Sequence, residues 1–170
     1  MRPHGQSQPL MYLDFDGTLH PKRCLWGATG PYLESAGEHQ LFEHARLLEG
    51  ILAEHPAIRL VLNSAWVEKL GVDGALAYLP RALSTRVVGT TLEAATPGHP
   101  VVHLSDAERI LLDVEMRKPA GWLAVQSTTE GWPGSVSARL VKSDPVEGIA
   151  PVLVQAALHS RLLSISPLRR

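Results

Sequence analysis

Apolar residues along the chain come in short runs divided by polar, Gly- and Pro-rich text, and the period of the pattern switches repeatedly. Residues 10–15 (LMYLDF) form an apolar run rich in strand formers that stops just before Gly17, which predicts a buried first strand. Residues 59–62 (RLVL), 86–89 (RVVG), 122–126 (WLAVQ) and 137–141 predict four more strands. Between these runs the spacing changes to three and four. Leu41, Ala45, Leu48 and Leu52, with Phe42 and Ile51 alongside, mark one buried stripe on a helix from about residue 39 to 54, which Pro56 ends. Residues 66–79 predict a helix interrupted at Gly71 and Gly74. Ser105 opens the most legible helix: Glu108 completes a capping box, and Ala107, Ile110, Leu111 and Val114 follow at helical spacing. Arg117 and Lys118 suit a helix C-terminus, and Pro119 and Gly121 break it. Residues 151–163 predict a last amphipathic helix with Pro151 in its first turn. Residues 19–37 are punctuated by Pro and Gly, have no period, and read as loop.

Strands alternating with helices predict an α/β fold: a three-layer, Rossmann-like sandwich with a mostly parallel sheet of about five strands and helices on both faces. All carboxyl ends of the parallel strands then share one edge, where ligands bind. The chain's 170 residues suit a single domain over 10–165, with an N-terminal arm at 1–9 and a tail at 166–170. A hydrophobic fraction of 45% with 19% charged residues excludes disordered and collagen-like classes. The formal net charge of −1 gives no bulk attraction to nucleic acid or acidic membranes. One cysteine, Cys24, excludes an intrachain disulfide and a cysteine-based zinc cluster. No apolar run reaches the ~18 residues of a membrane span, and the polar first ten residues do not resemble a signal peptide. These features predict an intracellular, cytoplasmic protein. His39, His44 and His55 flank the first predicted helix and read as solvated.

The strongest chemical signal is Asp14-Phe15-Asp16-Gly17-Thr18-Leu19, two acids one residue apart where the first strand ends. At ordinary residue usage a chance match anywhere in the chain is on the order of one in ten thousand. As the chain leaves the sheet, both carboxyls can reach the space above its edge, one to attack and the other to handle a proton. Gly17 permits a tight turn, and Thr18 offers a hydroxyl to an anionic oxygen.

This segment closely resembles the first motif of the haloacid dehalogenase-like (HAD) phosphohydrolases, and the layout around Ser64-Ala65-Trp66 and Gly131-Trp132-Pro133 resembles the small capless HAD domains grouped with RNA-repair proteins. The resemblance implies an aspartyl-phosphate mechanism. Asp14 would be the nucleophile and Asp16 the acid and base, and Asp14 with Asp16 would bind Mg2+. It also implies that Ser64, ending the next strand, holds the phosphoryl group with Thr18 and a basic residue. Two places compete for that basic residue. A helix returning antiparallel to the strands starts at the catalytic edge and ends roughly 15 Å away, which selects Arg109 over Arg117 and Lys118. At the fourth motif the sequence departs from the family: Gln126 and Ser127 stand where paired aspartates are expected. Glu130 has the spacing of a variant motif and is the candidate third metal ligand. Two expectations follow. One is a Mg2+-dependent phosphatase with an open site, taking a phosphorylated substrate that can be large, with Trp26 and Tyr32 as a partial cover. The other is a HAD-like phosphate-binding or regulatory module with impaired catalysis.

Overall fold

The computed structural model describes residues 7–94 and 103–166. Most of the expected arm (1–6) and tail (167–170), and residues 95–102, lie outside the described residues. In chain order the elements are β1 (Leu10–Leu13), β2 (Cys24–Gly27), β3 (Gly30–Leu33), α1 (Ala45–Ala53), β4 (Arg59–Leu62), α2 (Ala65–Leu76), α3 (Arg81–Ser84), β5 (Val87–Thr90), α4 (Asp106–Arg117), β6 (Trp122–Gln126), β7 (Leu140–Lys142) and α5 (Val152–Ile165), with 3-10 turns at Thr91–Ala94 and Gly134–Arg139.

The main sheet has the order β5-β4-β1-β6-β7, and every pairing in it is parallel. Its three central strands are mostly apolar and buried because both faces are covered. Met11, Leu13, Leu60, Leu62, Leu123 and Val125 face a core shared with Leu48 and Leu52 of α1, Trp66 of α2 and Leu158 and Leu162 of α5. Tyr12, Val61 and Ala124 face the opposite way, onto Ile110 of α4. This period-two division makes the three-layer sandwich expected from the sequence. β1 is the middle strand, so whatever follows Leu13 stands at the centre of the carboxyl edge.

Ser105 caps α4 with the full capping box, and left-handed Lys118 (φ 47°) closes it. Ser64 caps α2, which is broken at Gly71 (φ 72°). Other features were displaced from expectation. The helix expected from residue 39 starts only at Ala45, because Phe42 takes a left-handed backbone (φ 58°) that a helix cannot include. Part of the 19–37 loop is the antiparallel hairpin β2–β3, whose four-residue strands are too short to show a period. The last strand shrinks to Leu140–Lys142 because the residues before it form a 3-10 turn. His55 is buried rather than solvated, with Nδ1 2.9 Å from Ser166 Oγ.

Candidate active site

Beyond Leu13 the backbone folds into a tight loop. Thr18 and Leu19 N–H both donate to Phe15 O, at 3.1 and 2.9 Å, and Gly17 N–H donates to His20 O at 2.9 Å. Gly17 has φ 74°, and a Cβ there would stand 2.7 Å from both Cβ and Oγ of Ser127. Glycine is therefore required twice, by the backbone conformation and by the approach of the loop after β6. Ser143, just past β7, donates from Oγ to Gly17 O at 2.6 Å. The loop is thus held by three neighbouring strand ends.

Asp14 is the first residue off β1, and its Oδ1 accepts Phe15 N–H at 2.7 Å. Burial, then the charges of Asp16 and Asp106, push its carboxyl up to about 8, although Ser64 and the Phe15 amide pull the other way. Three carboxylates crowd this corner of the sheet edge. Ser64 accepts Trp66 N–H as the α2 cap, at 3.5 Å, and its hydroxyl stabilises the Asp14 carboxylate.

Asp16 is held differently. A single oxygen, Oδ1, accepts from Trp66 Nε1 at 2.8 Å and lies 2.8 Å from His20 Nε2. Trp66 is fully buried in an aromatic cluster with Phe15, His20, Trp26, Phe42 and Tyr78. Trp26 therefore packs edge-on to Trp66, with Lys69 Nζ 5.3 Å above its ring. It belongs to the wall behind Asp16, while Tyr32 projects from the hairpin, 49% exposed.

The remaining predicted residues divide into two groups. Arg109 stands in the first turns of α4, as expected, but Nη1 bonds Glu68 at 2.5 Å and Nη2 bonds Asp106 at 2.6 Å. A phosphoryl oxygen would have to compete for it. Asp106 Oδ1 also accepts from Asn63 Nδ2 at 3.2 Å. Asp106 had no role in the sequence reading, yet as the first residue of a helix whose start faces the catalytic edge it could have been suspected. Glu130 lines a groove of about 480 Å³ with Ser105, Asp106, Arg109, Thr128 and Trp132. The acids whose charges are felt at Asp14 are Asp16 and Asp106. Thr18 is wholly enclosed, and neither its Oγ1 nor Gln126 Nε2 has a hydrogen-bond partner among the described residues.

The donor set suits Mg2+. It is all oxygen, it brings the Asp14, Asp16 and Asp106 carboxyls to one corner, and Mg2+ needs only one or two carboxylates beside water and phosphate oxygens. A second cluster does not suit a metal. Asp16, His20 and Cys24 bring ligand atoms within 4.8 Å of one another, but Phe42 N–H points at His20 Nδ1 from 3.2 Å. An amide hydrogen can only donate, so the ring proton sits on Nε2, the atom a metal would need bare. Burial and Asp16 also push the Cys24 thiol up to about 11, away from the thiolate a metal prefers.

A parallel α/β sheet with an Asp-x-Asp turn off its central strand and, among the described residues, no inserted cap defines a small HAD-type hydrolase domain. The sequence profile described as "HAD domain in Swiss Army Knife RNA repair proteins" matches residues 10–154, and the chain belongs to that family. No curated protein matches it. Among the described residues no helix is long and apolar enough to cross a membrane.

Proposed function

We propose that the chain is a Mg2+-dependent phosphohydrolase that works through an aspartyl-phosphate on Asp14. The observation that carries this reading is the convergence of the Asp14, Asp16 and Asp106 carboxyls at the carboxyl edge, which together with burial holds Asp14 at about 8 even though Arg109 pairs with Asp106. A structural turn has no use for such a charge cluster, whereas a site for a cation and a phosphate does. Mg2+, held by Asp14 and the Asp16 backbone carbonyl with Asp106 facing the same space, would supply the positive charge that keeps Asp14 ionised and offsets the phosphoryl oxygens.

The chemistry of the side chains then runs in two steps. An Asp14 carboxylate oxygen bonds to phosphorus, the ester P–O bond breaks, and the leaving oxygen takes a proton from Asp16. Asp16 next removes a proton from water, whose oxygen displaces Asp14 and releases phosphate. Ser64 and Arg109 are the groups proposed to hold the phosphoryl oxygens, with Arg109 exchanging a carboxylate partner for the substrate, while Thr18, expected beside them, is wholly enclosed.

The family description makes a phosphorylated RNA end the first large substrate to try. With a net charge of −1, recognition would rest on the phosphate end itself rather than on bulk attraction. The test is hydrolysis of an aryl phosphate and of an end-phosphorylated oligonucleotide with Mg2+, against an Asp14→Asn control. Turnover abolished in the control supports the reading, and equal rates overturn it. The buried Gln126 amide, whose nitrogen has no hydrogen-bond partner among the described residues, in place of an acid favours a second reading, a phosphate-binding module without turnover. In that case phosphate binds and neither substrate is hydrolysed.

A further inference from the structure

We propose that His20 is a positioning residue for Asp16, a fixed hydrogen-bond donor that forces the catalytic proton onto one carboxylate oxygen. The inference rests on the phosphohydrolase reading for its purpose and on geometry alone for its existence. His20 is fully buried, with its ring packed against Phe42 and Trp66 at centroid distances of 4.8 and 5.5 Å. Phe42 N–H donates to Nδ1 at 3.2 Å. That contact makes Nδ1 the acceptor and leaves the proton on Nε2, 2.8 Å from Asp16 Oδ1.

Trp66 Nε1–H donates to the same oxygen at 2.8 Å. Oδ1 then accepts two N–H bonds and has no room for a proton, so the hydrogen that Asp16 gives to the leaving group and takes back from water resides on Oδ2. Two donors on one oxygen also fix the rotation of the carboxyl plane, which keeps Oδ2 aimed one way. Phe42 adopts its left-handed backbone at the place where this amide meets His20. Such a conformation is rare in a bulky residue and persists where the surroundings impose it.

Two substitutions separate positioning from packing. His20→Gln can place an amide N–H where Nε2 was, preserving the bond to Asp16. His20→Asn instead offers an oxygen to Phe42 N–H and nothing to Asp16. With Mg2+ and an aryl phosphate, the Gln variant should keep kcat within about tenfold of the parent, and the Asn variant should lose about a hundredfold with KM little changed, as expected for a misplaced catalytic group. Thermal melts of the two should agree within a few degrees. Equal kcat for both variants overturns the proposal. Nitrogen-15 NMR of the histidine rings gives a readout independent of turnover. A ring protonated on Nε2 and bare on Nδ1, missing from both variants, supports the lock, and an Nδ1-protonated His20 overturns it. If the parent protein hydrolyses nothing, the phosphohydrolase reading falls while the ring spectrum still decides whether the lock exists.

Discussion

Asp14 keeps its proton at neutral pH in the metal-free chain, because burial and two neighbouring acids hold it at about 8. A cation that binds there must displace that proton. Apparent Mg2+ affinity should therefore climb about tenfold per pH unit from 6 toward 8 and level off above, with about one proton released per ion below the plateau. Calorimetry in buffers of different ionisation heat measures both, and a pH-independent affinity would remove Asp14 from the metal site. Stability follows the opposite sign. The folded carboxyl titrates above its ordinary 3.8, so between about 4 and 8 the folded chain binds the proton that the unfolded chain releases, and stability falls as pH rises. Asp14→Asn should flatten that decline in a melting series.

Gln126→Asp tests the altered fourth motif at the same scale. It would put a carboxylate where a buried amide has no partner for its nitrogen among the described residues, so the metal-free variant should melt lower than the parent. If the new carboxylate reaches the cation, Mg2+ restores the lost stability and raises turnover. Destabilisation that Mg2+ does not relieve would mean the position lies outside the coordination shell. Asp14 and Asp16 were legible in the sequence because two acids, a glycine and a threonine follow an apolar run. His20 and Asp106 were not, since a histidine in a loop and an acid in a first helical turn each have ordinary uses that do not depend on Asp14 or Asp16.

At the scale of elements, strong periodicity read well and local overrides did not. β4, β6 and the capped α4 lie where pattern and capping chemistry put them, because both faces of the sheet demand burial and Ser105 satisfies the helix start. The first six residues expected in α1 are lost to Phe42, whose amide serves His20 instead of a helical carbonyl. That tertiary demand leaves no trace in the spacing of apolar residues. The turn before α5 is a comparable case. Gly148 has φ 55°, and a Cβ there would fall on the Thr18 carbonyl oxygen, which also accepts Ile149 N–H at 3.1 Å. Gly148→Ala should cost about 2 kcal/mol or more in a denaturant titration, from backbone strain and collision together. Because the displaced partner is the loop carrying Asp16, kcat should fall as well. An alanine variant with parental stability and activity would show that this turn does not brace the loop.

For the molecule as a whole, α4 links an edge proposed for chemistry to a patch that serves stability. Arg109 near its start and Arg117 at its end are about 12 Å apart along the axis, and each holds two carboxylates. Arg109 pairs with Asp106 and Glu68 beside the acidic corner. Arg117 pairs with Glu93 and with Asp113, and the buried Asp113 also accepts Tyr12 O–H at 2.8 Å. Removing Arg117 leaves the buried Asp113 carboxylate with Tyr12 as its one side-chain donor among the described residues, so Arg117→Ala should cost about 2–3 kcal/mol of stability and leave kcat per folded molecule unchanged. Arg109→Ala should do the reverse. Asp106 retains Asn63 and stands at the partly exposed helix start, so stability changes little, while KM rises and kcat falls as the phosphoryl group loses its cation. Melting curves and steady-state kinetics on the two variants decide the matter, and loss of turnover in Arg117→Ala at full folding would erase the division between the two ends of the helix.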